Sequence, residues 1–182
     1  MLPPGIEPGS TVLQTAAMTT SAKAAINKIT MSALIKHLND EALWIVMHPL
    51  IHFDDELHET YPWAKVETIR LSNKISYYLE PIKHKAIVAP LDPVRFFSKY
   101  QNILTFDELK TYTDQHKITE LVYCGFHHGA CILSEQYVGM IEMSKHFKCY
   151  LKHDLTTIIP GTLVGGWNDA DNRTSEIGTI IF

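Results

Sequence analysis

The chain of 182 residues is 46% hydrophobic and 20% charged, with 9 Gly and 9 Pro, which excludes collagen-like and low-complexity chains and leaves room for one sizeable globular core. Sixteen basic residues against twenty acidic ones give a formal charge of -4, and the basic residues are scattered, which argues against nucleic acid or an anionic membrane as a partner. The longest purely apolar run, residues 42–47, is far short of the roughly 20 residues a membrane-spanning helix needs.

Residues 1–30 carry Pro3, Pro4, Gly5, Pro8 and Gly9 and then a Thr/Ser/Ala-rich stretch with little apolar periodicity, so a flexible N-terminal arm is expected there. The run from Gly5 to Gln14 also resembles the peptide produced when a transfer-RNA gene is translated, in which case Met18 or Met31 is the natural start. The single folded domain is expected over residues 31–182.

From Thr30 the pattern becomes regular. Met31, Leu34, Ile35 and Leu38 recur at helical spacing, and residues 42–47 then form an apolar run of strand length, apolar on both faces as a buried parallel strand requires. A polar and aromatic loop over residues 52–63 leads to a long helix marked by Val66, Ile69, Ile75, Tyr78 and Leu79. Residues 85–89 read as a second strand, Phe106, Leu109 and Tyr112 as a helix, and residues 119–124 as a third strand. Val138, Ile141 and Met143 mark another helix, residues 148–152 a fourth strand, and residues 177–182 a fifth at an edge. Strands alternating with helices imply crossovers and therefore an α/β fold, a three-layer α-β-α sandwich around a central, mostly parallel sheet of Rossmann-like type. Such sheets bind ligands at the carboxyl ends of their strands, which directs attention to the residues after Met47, Ala89 and Cys124.

The most informative stretch is Leu121-Val122-Tyr123-Cys124-Gly125-Phe126-His127-His128-Gly129-Ala130-Cys131-Ile132-Leu133. A strand ends at Gly125, a short turn follows, and Cys131 stands where the next helix is expected to begin. A thiol at a helix N-terminus faces unpaired N–H groups and the positive end of the dipole, which favour thiolate. The same N–H groups can hold the oxyanion that forms when a thiolate attacks a carbonyl. Cys124 and Cys149, inside strands, read as core residues, and the plain alternative for Cys131 is a small buried hydrophobe.

Here the chain resembles the isochorismatase-like family of cysteine hydrolases, which includes nicotinamidases. In that family a strand ends in Gly, and six residues later the nucleophilic Cys opens a helix and precedes an aliphatic residue, a spacing matched by Gly125 and Cys131-Ile132. Residues 148–154 are similar to the family's next strand, which ends in an Asp, here Asp154. The resemblance covers roughly residues 40–160, most strongly 118–155, and implies hydrolysis of a small amide or a related C–N or C–O bond. Two family residues are missing. The Asp that serves as base at the end of the first strand is matched by Met47 or His48, and the Lys after the second strand has Lys99 as its nearest counterpart. Two readings follow. Either His48 takes the proton of Cys131, as imidazole chemistry permits, or the fold persists as a catalytically inactive binding or assembly subunit.

Around Cys131, the residues Phe126, His127, His128 and Ala130 are expected to line a substrate pocket, with a solvent-exposed turn as the alternative for the two His. Phe53, Tyr61 and Trp63 offer an apolar wall for a planar substrate, or else belong to the core or to a partner subunit. His52, Asp54, Asp55 and His58 form a carboxylate–imidazole group in the region where nicotinamidases bind metal, but the family's ligand spacing is not reproduced, so no metal and no cofactor are assigned. The expected partners are a small-molecule substrate and further copies of the chain in a homo-oligomer, without nucleic acid or membrane. Three Cys, an odd number with no secretory leader ahead of them, favour free thiols and a cytoplasmic location.

Overall fold

The computed structural model describes residues 31–47, 62–89, 101–103, 105–126, 128–133, 138–158 and 166–182. The chain divides into two units, Met1–His37 and Leu38–Phe182. In the first, residues 31–37 are helical.

The second unit opens with a helical turn over residues 38–41, and its buried Leu38 carbonyl accepts the Ala42 N–H at 3.1 Å and the Trp44 indole N–H at 3.3 Å. Six strands follow: β1 (Leu43–Met47), β2 (Ala86–Ala89), β3 (Gln101–Asn102), β4 (Glu120–Gly125), β5 (Lys148–Thr156) and β6 (Thr179–Ile181). They form one sheet in the order β3-β2-β1-β4-β5-β6, and every pairing is parallel. The expected α/β architecture is therefore present, with an all-parallel sheet. Among the described residues no helix is long and apolar enough to cross a membrane.

Strand alternation sorts the core onto two faces. On one face Leu43, Ile45, Met47, Ile87, Ala89, Leu121, Tyr123, Cys149 and Leu151 pack with Leu109 of helix α2 (Phe106–His116) and with Ile132, Leu133, Val138, Met140 and Met143. On the other, Trp44 meets Tyr78 of helix α1 (Pro62–Leu79) at 5.3 Å between ring centroids, beside the buried Leu71, Ile75 and Leu79. Helix α2 starts on a capping box in which Thr105 and Glu108 each accept the other's backbone N–H, so two otherwise orphaned donors are satisfied.

Four features depart from the sequence expectations. Strand β3 is two exposed polar residues with no apolar signature. Strand β5 runs four residues beyond Lys152, carrying His153 and Asp154 within the strand. Residues 138–143 hold only the single turn α3 (Met140–Met143). Helix α4 (Gly166–Ile177) was not signalled because it is polar almost throughout and buries only Ala170 and Thr174.

The strand order reverses between β1 and β4: the chain runs outward from β1 through β2 to β3 and then returns to the other side of β1. The carboxyl ends of β1 and β4 therefore flank the topological switch point, where open parallel sheets form their ligand crevice. Met47 pairs with Gly125 there, and the Phe126 N–H donates to the Met47 carbonyl at 3.1 Å. Beyond it, the His128 N–H donates to Thr157 at 2.9 Å, and the Thr157 N–H donates to Gly125 at 3.2 Å. These bonds fix the turn after β4 to both neighbouring strands.

Candidate functional site

The turn after β4 is helical from His128 to Ile132, wound as a single wide π-type turn. The helical segment thus opens at His128, three residues earlier than expected, and Cys131 lies inside its first turn rather than at its first position. Cys131 is partly exposed, whereas Cys124 and Cys149 are buried, and none of the three is in a disulfide. Burial, reinforced by the Asp154 charge, pushes the Cys124 thiol far above the ordinary thiol range. Burial alone pushes Cys149 up to about 12. Neither forms an appreciable amount of thiolate near neutral pH.

The expected site residues divide into four groups. Ala130, partly exposed, and Cys131 share the turn. Phe126 is fully buried at the end of β4, part of the core rather than an open wall, and His128 is fully buried as well, which excludes solvent exposure for that one His of the pair. Trp63 falls in the first turn of α1, not in a loop. His48, Phe53, Lys99 and His127 lie outside the described residues, as does the group His52, Asp54, Asp55 and His58.

Met47, one of the two residues that the sequence resemblance sets against a catalytic Asp, is a fully buried core side chain. No carboxylate could occupy that position without a large desolvation cost. A hollow of about 370 Å³ at the β3 edge is lined by Gln101, Asn102, Asp107, Glu108 and Tyr112 among others, with no Cys or His among its lining residues.

A group that the sequence did not single out meets on the inner side of the turn. His128 from the turn, His153 from β5 and Asp171 from α4 each present a ligand-type atom within 4.8 Å of the other two. Asp171 Oδ1 lies 3.8 Å from His128 Nδ1 and 3.4 Å from His153 Nε2, and these three buried atoms make no hydrogen bond among the described residues. Burial and the neighbouring His153 hold the His128 pKa down at about 4, so its imidazole is neutral near pH 7. On its far side, His128 Nε2 is 2.8 Å from the Thr174 hydroxyl. Arg173 Nη1 donates to the Gly129 carbonyl at 3.3 Å, so α4 clasps the turn twice. Trp167 covers the group, its ring 5.5 Å from His128 and 4.8 Å from His153. His153 and Asp171 escaped sequence reading because the first looked like a residue beyond a strand end and the second sits in a segment without apolar periodicity.

In comparisons with known proteins, no family model, no curated protein and no solved structure matches the chain.

Proposed function

We propose that this protein is a cysteine hydrolase of isochorismatase-like lineage, acting on a small amide or a related C–N or C–O substrate. One observation carries the reading: the partly exposed thiol, Cys131, lies in the turn that leaves β4 at the switch point of an all-parallel sheet. The Gly125 and Cys131-Ile132 spacing supports the lineage.

In this reading the Cys131 sulfur attacks the substrate carbonyl as its proton passes to a base, for which His48 is the candidate. Backbone N–H groups around Ala130 and Cys131 stabilise the oxyanion, the base protonates the departing amine, and the C–N bond breaks. Water, deprotonated by the same base, then attacks the thioester, releasing the acid and restoring the thiol. Lys99 and Phe53, with Trp63, belong to the same proposal as charge and apolar contacts for the substrate.

The core position of Met47 favours a second reading, a catalytically silent protein that keeps the crevice as a binding or assembly site. Ammonia release from a panel of small carboxamides, with acyl-enzyme mass measured in parallel, separates the two. The hydrolase reading expects turnover that falls by about 10³-fold or more in Cys131→Ala, together with a covalent adduct on Cys131. Binding of the same amides without turnover or adduct overturns it in favour of the silent protein.

Homo-oligomerisation is part of the proposal. Val66, Ile69 and Tyr77, at 64%, 54% and 87% exposure, fall on one side of α1 and supply an apolar stripe for a second copy. A cytoplasmic setting accords with the three free thiols.

A further inference from the structure

We propose that His128, His153 and Asp171 form a binding site for a divalent transition-metal cation of the Zn²⁺ class, with one coordination position left to water. The argument begins by counting hydrogens. The Thr174 hydroxyl has a single hydrogen, and it is donated to the Ala170 carbonyl at 2.7 Å. Thr174 Oγ1 can therefore only accept from His128, so Nε2 carries a proton and Nδ1 is the ring atom left for a ligand. Nδ1 lies 3.8 Å from Asp171 Oδ1 and within 4.8 Å of His153 Nε2. All three atoms are buried without a hydrogen bond among the described residues, a deficit that a cation between them would satisfy.

The dimensions and chemistry suit a metal. Ligand bonds of about 2.0–2.2 Å in tetrahedral array place donor atoms roughly 3.3 Å apart. The separations of 3.4 Å and 3.8 Å to Asp171 Oδ1 approach that spacing, and all three donor atoms lie within 4.8 Å of one another. Two imidazoles with one carboxylate select Zn²⁺ and its neighbours over Mg²⁺ or Ca²⁺, which prefer all-oxygen sites. Thr174 is the outer partner that fixes the tautomer and ring angle of a ligating His, and the Trp167 and Phe182 rings supply an apolar surround. His153 and Asp171 are partly exposed as residues, at 24% and 30%, while their ligand atoms Nε2 and Oδ1 are buried beside His128 Nδ1. Three protein ligands leave the fourth tetrahedral position to water.

The site does not depend on the hydrolase reading, and the test keeps them apart. The full chain, stripped with a chelator, is titrated with Zn²⁺ by calorimetry, metal content is measured by mass spectrometry, and Co²⁺ replaces Zn²⁺ for visible absorption. One ion per chain is expected, with cobalt bands in the visible and no sulfur-to-metal charge transfer. His153→Gln and Asp171→Asn, both on partly exposed residues, are expected to weaken binding by about 100-fold or more, and Thr174→Val by about 10–100-fold. Cys131→Ala is expected to bind as the parent does. Absence of stoichiometric binding, binding unchanged in the His153 and Asp171 variants, or a thiolate charge-transfer band each overturns the proposal.

Discussion

Met47 and Gly125 face each other in register so closely that a Cβ on Gly125 would lie 2.3 Å from the Met47 carbonyl oxygen. Gly125 also has φ +114°, a conformation that side chains oppose. Both obstacles are backbone, so neither yields to a rotamer change. Gly125→Ala is expected to destabilise the fold by about 3 kcal/mol or more, read as a lower urea midpoint with an unchanged slope. A midpoint equal to the parent's would mean that β1 and β4 do not close as described.

The Thr174 hydroxyl gives a second, independent handle. Replacing it with Val keeps the shape but leaves the buried His128 Nε2–H without an acceptor, at a cost of about 1–3 kcal/mol. Thr174→Ser restores the oxygen and is expected to recover most of that loss. Thermal unfolding in chelator compares the three proteins, and equal melting of the Val variant and the parent would contradict the tautomer derived for His128.

At the far end of β5, Lys152 keeps a nearly buried side chain, at 5% exposure, against Asp154, which also pairs with Lys74 at 3.0 Å. Burial pushes the Asp154 carboxyl up, but Lys152 and Lys74 together more than reverse this and hold it below the usual range. A depressed carboxylate stabilises the fold above its unfolded pKa of about 3.9, and the contribution is lost as the pH falls further. Asp154→Asn is therefore expected to cost about 1–2 kcal/mol at pH 7, discounted because Asp154 is half-exposed, and the difference from the parent is expected to shrink below about pH 4. A difference independent of pH would assign the cost to packing instead of charge.

The sheet was legible because β1, β2 and β4 are buried on both faces and so appear as unbroken apolar runs such as Leu43 to Met47. The edge was not. Gln101 and Asn102 are held by backbone pairing with β2 and leave no trace in side-chain hydrophobicity. Helix α4 escaped for a related reason: its inward contacts are made by Ala170 and Thr174, a methyl and a hydroxyl, and not by a stripe of large apolar residues.

The Gly125 to Cys131 spacing located the turn that carries the partly exposed thiol, and Cys124 and Cys149 are buried in strands as their sequence context suggested. His128 was singled out with that turn, and its ring is buried and bonded to Thr174. Its partners His153 and Asp171 come from β5 and α4, and three residues on three separate elements leave no local spacing to read.

The reactivity ranking of the three thiols tests the central claim most directly. With a Cys149 pKa of about 12, fewer than about one in ten thousand of its thiols is ionised at pH 7.5, and Cys124 ionises less still. Native protein treated with iodoacetamide at that pH and digested for mass spectrometry is expected to carry the label on Cys131, with Cys124 and Cys149 modified only after unfolding. Labelling of Cys131 no faster than the two buried thiols would contradict the account of Cys131 as the accessible nucleophile of the crevice.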